Sequence, residues 1–492
     1  MKHILYILLA AMCLFSTAAQ GSKVVVHTKG AGNLINEISV YINEIDTLSV
    51  VGEVNEADFE TMWKCAFYGR LAYLDLEKAV PVNNKIPSHA FFHPEEQSVV
   101  QNDFVVIVPP AHLKTVILPT TVTIIGSNAF AYTDIEKCVL PENLTILEYS
   151  AFYKSSLSGT LNLPLNLNEI GSRCFTNCEN IEKLVCPESL QKIGPLAFYE
   201  CKFGEVEFSE GLREIGMEAF AGNTVLKEVV LPSTVTNLGT ASFANCFALE
   251  RIELSERLEY IPVEFAEICT SLKSITIPSS VLSIGDKAFY WCKSLSSVNF
   301  NEGLGSIGPN AFQYCPVETL ILPSTIQTMD SQSFGDNSHL KVIYSHATKA
   351  PRACTSNINS GTKSELPDEY NAFSGSTPYD IPVYVPVGSL SSYRKDADYG
   401  WKRFTNIMEL ADMPPLSGVD QIGVAEETID IVPVAGGIII RGELVSGTLF
   451  QIYTAEGRKA AGGRLSYSET FVPLSKGIYI VTAGKSVRKL AL

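Results

Sequence analysis

Gly303, Gly305 and Gly308 in GLGSIG follow a strand-like run at the spacing with which a glycine-rich turn presents backbone N–H groups to a dinucleotide. That chemistry also needs a helix of useful length after the glycines, and none begins before Phe312. His89 and His93, four apart beside Glu95 and Glu96, offer the donors of a metal pair. They flank Ala90 and Phe91 without an HExxH arrangement, which reads instead as a solvent-facing turn. Glu205 and Glu207 project from one strand face, but acid catalysis needs a desolvated carboxyl, and nothing in the pattern supplies that. No GxSxG elbow and no CxxC pair occur, and seven scattered histidines give no nucleophile and base at a recognised spacing. The expectation is a non-enzyme with no catalytic residue, metal or cofactor.

What positions these residues is a tandem repeat. Residues 272–292 read LKSITIPSSVLSIGDKAFYWC, and the frame returns in LKEVVLPSTVTNLGTASFANC (226–246) and LKTVILPTTVTIIGSNAFAYT (113–133). Phenylalanine recurs at 130, 152, 175, 198, 220, 243, 265, 289, 312 and 334, in steps of 22 to 24 residues. Such a period marks a solenoid, in which each turn buries its apolar side against the turns above and below. Within a turn, Leu272, Ile275 and Ile277 alternate with Ser274 and Thr276 as a short strand that Pro278 ends. Val281 and Ile284 form a second inward set, Gly285 suits a corner, and Phe289 fills the interior from the far side. Gly308 occupies the Gly285 position, so GLGSIG is one more turn of the frame.

Cys178, Cys201, Cys246, Cys292 and Cys315 each lie three residues after a repeat phenylalanine, where other turns have Thr133, Ser155, Asn223 and Asn337. A position shared by Cys, Thr, Ser and Asn calls for a small, weakly polar residue that satisfies backbone groups. The alternative is oxidation of Cys178 with Cys201, or Cys292 with Cys315, one turn apart.

The outward strand positions form two columns. One runs Ile117, Val139, Asn162, Val185, Glu207, Val230, Glu253, Thr276, Asn299, Ile321 and Tyr344; the other includes Lys183, Glu205, Glu228 and Arg251. A broad face of mixed apolar and polar residues suits a macromolecular partner. Its middle, Val185, Glu207, Glu228, Val230, Arg251 and Glu253, is the expected ligand-binding site. An alternative aromatic patch, Tyr290, Trp291 and Tyr314, follows the repeat phenylalanines on the opposite flank and either covers the turn or contacts a ligand.

Of the 492 residues 46% are hydrophobic and 18% charged, which excludes a disordered chain. The net charge of -16 repels a phosphate backbone, so nucleic acid is not an expected partner. Lys2, the apolar run 4–15 and the string Ser16, Thr17, Ala18, Ala19 have the regions of a secretory signal, with cleavage after Ala19. No later apolar stretch is long enough to span a bilayer, so no transmembrane segment remains after signal removal. The expected organisation is a signal peptide (1–19), an amino-terminal cap (20–70), the solenoid (71–350), an irregular loop and carboxy-terminal cap (351–412), a linker (413–424) and a small β-sandwich (425–492). In the first cap, LSVVGEVNEADFETMW reads as a strand and a helix capped by Asn55 or Glu56; in the last, Pro386 ends a strand and Trp401 and Phe404 cover the open turn.

The repeat resembles the BspA-type leucine-rich repeats of surface proteins from anaerobic Gram-negative bacteria, over roughly Leu71 to Leu410. IYTAEGRKAAGG and FVPLSKGIYIVTAGKSVRKLAL resemble the sorting domain of type IX secretion cargo. The resemblance implies a leucine-rich repeat solenoid followed by a β-sandwich, secreted or held on the outer cell surface. It implies adhesion: binding of a protein or extracellular-matrix ligand without catalysis. A glycan-binding component of a surface polysaccharide system and a purely structural envelope protein are the alternatives, and the sequence leaves the oligomeric state open.

Overall fold

The computed structural model describes residues 22–101, 104–109, 112–354, 370–394 and 400–416, together with strands between 430 and 491. The expected signal peptide and most of the expected linker lie outside the described residues. Two compact units make up the chain, 1–416 and 417–492.

In the first unit, short parallel strands stack turn upon turn, because each turn has one outward-alternating tripeptide and a proline or polar break after it. One face carries five hydrogen-bonded stretches in series, beginning with Ser22–His27, Ile45–Val54, Tyr73–Asp75, Thr115–Ile117 and Lys137–Val139. The last joins Thr319–Leu322, Val342–Ser345, Pro382–Pro386 and Asn406–Leu410. A second column of two-residue strands runs from Lys85–Ile86 to Asn237–Leu238, stops, and resumes from Tyr260–Ile261 to Thr328–Met329. All pairs in both columns are parallel, for example Lys183↔Glu205 and Ile193↔Ile215, with register shifts at Ser22/Lys23 and Gly159/Thr160. Along the second column each glycine N–H donates to the turn before it, as Gly239 does to Ile215 O. The glycine is required by close approach: a Cβ on Gly216 would stand 2.5 Å from Pro195 N.

Phenylalanine rings fill the interior. From Phe91 through Phe130, Phe152, Phe175, Phe198 and Phe220 to Phe243, successive centroids lie 5.1 to 5.4 Å apart and planes within 17°. The column turns edge-on at Phe265, 75° to Phe243 and 78° to Phe289, and then stacks again through Phe312 and Phe334. It ends on Phe373, which stacks on Phe334 at 6.0 Å. The stretch read from sequence as an irregular loop thus supplies one more ring of the core. The sequence frame is also corrected at Phe265. Ala266 N donates to Ala288 O, as Phe289 N donates to Ala311 O, so Ala266 holds the phenylalanine position and Phe265 the alanine position.

The helix Glu56–Phe67 has a capping box, in which Asn55 accepts from Ala57 N and Asp58 accepts from Asn55 N. Asp58, fully buried, also accepts from Gly32 N and Leu34 N, which ties the preceding loop to this helix. Near the last strands of this unit Trp401 and Phe404 pack on Phe373, Tyr393 of the helix Leu390–Arg394 packs on Trp401, and the buried Trp401 indole donates to Pro351 O at 2.7 Å. Among the described residues no helix is long and apolar enough to cross a membrane.

The second unit contains antiparallel strands: Asp430–Val434, Gly437–Arg441 and Glu469–Pro473 form one sheet, and Leu449–Thr454, Lys459–Arg464, Ile478–Ala483 and Ser486–Ala491 another.

Candidate functional site

The strand face is built by the alternation that buries Leu184, Val229 and Ile252 and turns their neighbours out. Of the six residues expected to bind ligand, Val185 lies beside Glu207 in one ladder. In the next, Glu228 lies beside Arg251 and Val230 beside Glu253. The two valines are half-buried and the four charged residues exposed. Lys183 and Arg251 each stand between two carboxylates. Lys183 Nζ is 2.8 Å from Glu205 and 2.6 Å from Glu207, and Arg251 pairs with both Glu228 and Glu253. Hydrogen bonds to Glu205 and then Glu207 hold the Lys183 ammonium above its usual range. Each cluster therefore carries one net negative charge next to a valine.

A cleft of about 420 Å³ opens on this face where the ladder is interrupted between Arg251–Glu253 and Ser274–Thr276. Arg251, Glu253 and Glu256 line one wall, Ser274 and Thr276 the other. A second cleft, of about 400 Å³, opens between Asn237–Leu238 and Tyr260–Ile261, at the interruption of the second column. Pro262 explains that interruption: it takes the place from which Gly239 and Gly285 donate, and it has no N–H.

The strand face extends further than the repeat frame indicates. Ile321, Tyr344, Tyr384 and Met408 are consecutive cross-strand neighbours, and Tyr344 and Tyr384 stack at 5.2 Å and 16°. Tyr384 lies beyond the period; the alternation in VYVP was the signal that could have found it. The alternative patch is also assembled. Tyr290, Trp291 and Tyr314 have centroids 5.8 to 6.2 Å apart, and Lys293 Nζ lies 4.5 Å from the Trp291 ring.

A larger cavity, about 620 Å³, lies elsewhere, between the cap helix and the first turn, lined by Asn55, Glu56, Phe59, Lys85, Pro87 and Ser88. Sequence reading missed it because it needs two elements with no shared motif. His93 borders the adjoining space and does not face solvent as expected: its ring lies 4.1 Å from that of Trp63, and its Nε2 is buried without a partner. Burial pushes the His93 imidazole down, against the pull of Glu96 and Glu60. Among the described residues no three His, Cys, Asp or Glu side chains converge as metal ligands.

The cysteine position has one job throughout. Cys178, Cys201, Cys246, Cys269, Cys292 and Cys315 each donate Sγ–H, at 2.9 to 3.3 Å, to the carbonyl that precedes them by 26 residues. Asn223 and Asn337 donate to the equivalent Phe198 and Phe312 carbonyls. All described cysteines are free thiols. Cys269 joins the series only once Ala266, rather than Phe265, is taken as the marker.

A family model described as the BspA type leucine rich repeat region matches residues 110–203, 191–277 and 262–376. No curated protein matches the chain. Among solved structures, a leucine-rich repeat protein from Bacteroides ovatus is 23% identical with a TM-score of 0.35, covering 64% of this chain and 90% of its own. A leucine rich cell surface protein from Faecalibacterium prausnitzii is 20% identical with a TM-score of 0.31, covering 74% and 89%. The pneumococcal vaccine antigen PcpA is 17% identical with a TM-score of 0.31, covering 64% and 88%. The family model spans more than half of the chain, over the turns in which the ring column and the carbonyl-binding position repeat, and the chain belongs to the BspA-type leucine-rich repeat family.

Proposed function

We propose that this is an exported, non-catalytic adhesion protein that binds a protein or matrix ligand through its strand face. The observation that carries the reading is the pairing on that face of half-buried Val185 and Val230 with two acid–cation–acid clusters, beside the cleft at Arg251 and Thr276. Desolvated apolar groups ringed by charge are the pattern in which interface energy concentrates. The export signal and the family support a place outside the cell, on the outer surface of a Gram-negative bacterium. The two antiparallel sheets of the second unit suit a small β-sandwich, and the sequence likeness to a type IX sorting domain gives it a role in export or attachment. Capture of host and microbial surface proteins with the array tests the reading, provided that each captured protein is then bound directly by purified wild type. If no such protein binds directly, the reading fails.

A further inference from the structure

We propose that the flank opposite the strand face binds a neutral polysaccharide, with Trp291 and Tyr314 as its main station. Both residues are about two-fifths exposed, 40% and 41%. Both occupy the position two residues after the core phenylalanine, where the backbone is left-handed, with φ of 59° and 61°. Asn177, Asn245 and Asp336 hold that position in other turns, as suits residues that tolerate such a backbone. Large rings there are neither core nor favoured by the local conformation, so their use is sought at the surface.

The surroundings select the ligand. Asn310 Nδ2 donates to Gln313 and Gln332, and Gln313 Nε2 donates to Asp336 at 3.1 Å, which leaves a fixed network of amides and a carboxylate beside Tyr314. The Asp336 carboxylate raises the Tyr314 hydroxyl above its usual range. On the other side Lys293 already occupies the Trp291 ring as its cation. A cationic ligand meets Lys293 and an anionic one meets Asp336. A sugar offers what both tolerate: C–H faces for the rings and hydroxyls for the amides and carboxylate.

A second aromatic and lysine cluster, Tyr132, Tyr153 and Lys154, lies on the same flank, with the rings 5.2 Å apart and Nζ 5.6 Å from each. Tyr132 shares the left-handed position of Trp291, seven turns away, roughly 34 Å at the strand spacing. Between them this position carries Lys154, Asn177, Glu200, Gly222, Asn245 and Ile268, and the residues before it include Ala221 and Ala244. A polymer can reach both stations where a short oligosaccharide cannot, so a polymer binds more tightly.

The test uses tryptophan. The chain has three, and Trp63 and Trp401 are fully buried, so collisional quenching by acrylamide reports Trp291. The purified full chain is titrated with dextran, laminarin and xylan, and with polygalacturonate as an anionic control, and run in affinity gels containing each. At least one neutral polymer is expected to reduce quenching about twofold and slow migration. Trp291→Asn with Tyr314→Asn, which installs a residue the position already accepts, is expected to weaken retardation by roughly tenfold. Retention of binding by the strand-face variant Val185→Ser, Val230→Ser, Arg251→Ser separates this site from the adhesive one; loss in that variant overturns the assignment. So does failure of all three neutral polymers, an effect of polygalacturonate alone, or undiminished retardation of the Asn variant with its melt intact.

Discussion

Phe265 and Ala266 stand exchanged relative to every neighbouring turn. Ala266 makes the backbone bond of a core phenylalanine, and Phe265 reaches the interior from the alanine position, edge-on to Phe243 and Phe289. Pro262 lies in the same turn, the one gap in the second strand column falls beside it, between Leu238 and Tyr260, and one of the four interruptions of the first column, between Glu253 and Ser274, adjoins it. Three departures in one turn make it the array's weakest coupling, since neighbours in a solenoid share only their mutual interface.

Hydrogen exchange should show this directly. Strands Arg251–Glu253 and Ser274–Thr276 each have a ladder partner on one side only, whereas Lys183–Val185 has one on both, so amides in 251–276 are expected to lose protection first under mild denaturant. Equal protection in the two segments contradicts the weak coupling.

Within a regular part of the column the ring matters through its volume. Phe198 is fully buried between Phe175 and Phe220. Phe198→Ala is expected to lower stability by roughly 3 to 5 kcal/mol in urea unfolding, and Phe243→Ala by a similar amount. A loss below about 1 kcal/mol is incompatible with stacked rings as the core.

The cysteines are expected to behave as buried hydrogen-bond donors. Burial pushes the Cys178 and Cys292 thiols up to about 12, against roughly 8.5 for a free thiol. Native protein at pH 8 should react slowly with a thiol reagent, and unfolded, unreduced protein should show most cysteines free. Because the folded values are raised, the stabilising effect is present below about pH 8.5 and is lost as pH rises toward 12. Urea midpoints should therefore fall above about pH 9. Cys292→Ser keeps a second donor for Ala266 O, whereas Cys292→Ala leaves that carbonyl only its bond from Cys269 N and is expected to cost about 1 kcal/mol.

His93 gives the amino-terminal cap the opposite dependence. Burial against Trp63 lowers the imidazole, opposed by Glu96 and Glu60 and assisted by His89 and Lys64. A lowered folded value means that stability is present above about pH 6.5 and is lost as pH falls below it. Thermal melts followed by tryptophan emission should fall between pH 7.5 and 5, and His93→Phe should flatten that fall. An unchanged slope in the variant assigns the acid sensitivity elsewhere.

The repeat, its inward and outward alternation and both cap elements were legible because each rests on a local pattern: the 23-residue frame, Pro278 after Ile277, Asn55 before an apolar run. The exchange at Phe265 was not, although the steps of 22 and 24 around it left a trace, since period counting follows residue type and backbone position is decided by neighbouring turns. Tyr384 and Phe373 lie outside the period for the same reason: an intervening stretch separates them in sequence from the turns they complete. The cavity at the cap helix and the burial of His93 depend on packing between elements, which no single stretch of residues encodes.

The strand face can be tested without disturbing the array. Val185 and Val230 lie beside Glu207 and Glu253, so glutamate at either position would place like charges opposite each other, and serine is the cleaner replacement. Arg251→Ser removes the cation that Glu228 and Glu253 share, and exposed pairs of this kind contribute roughly 0 to 1 kcal/mol to stability. The triple variant should therefore melt within a few degrees of wild type. Its effect on adhesion should be far larger, because a half-buried valine and a shared arginine at the centre of a face are where truncation costs most binding energy, roughly 2 kcal/mol or more each. Surface plasmon resonance against a captured partner is expected to show roughly a thousandfold loss, about the equivalent of two such residues. The same change made at Ile117, toward one end, should weaken binding by less than about tenfold. Binding that survives the central triple variant and fails at the Trp291 and Tyr314 variant instead would move adhesion from the strand face to the aromatic flank.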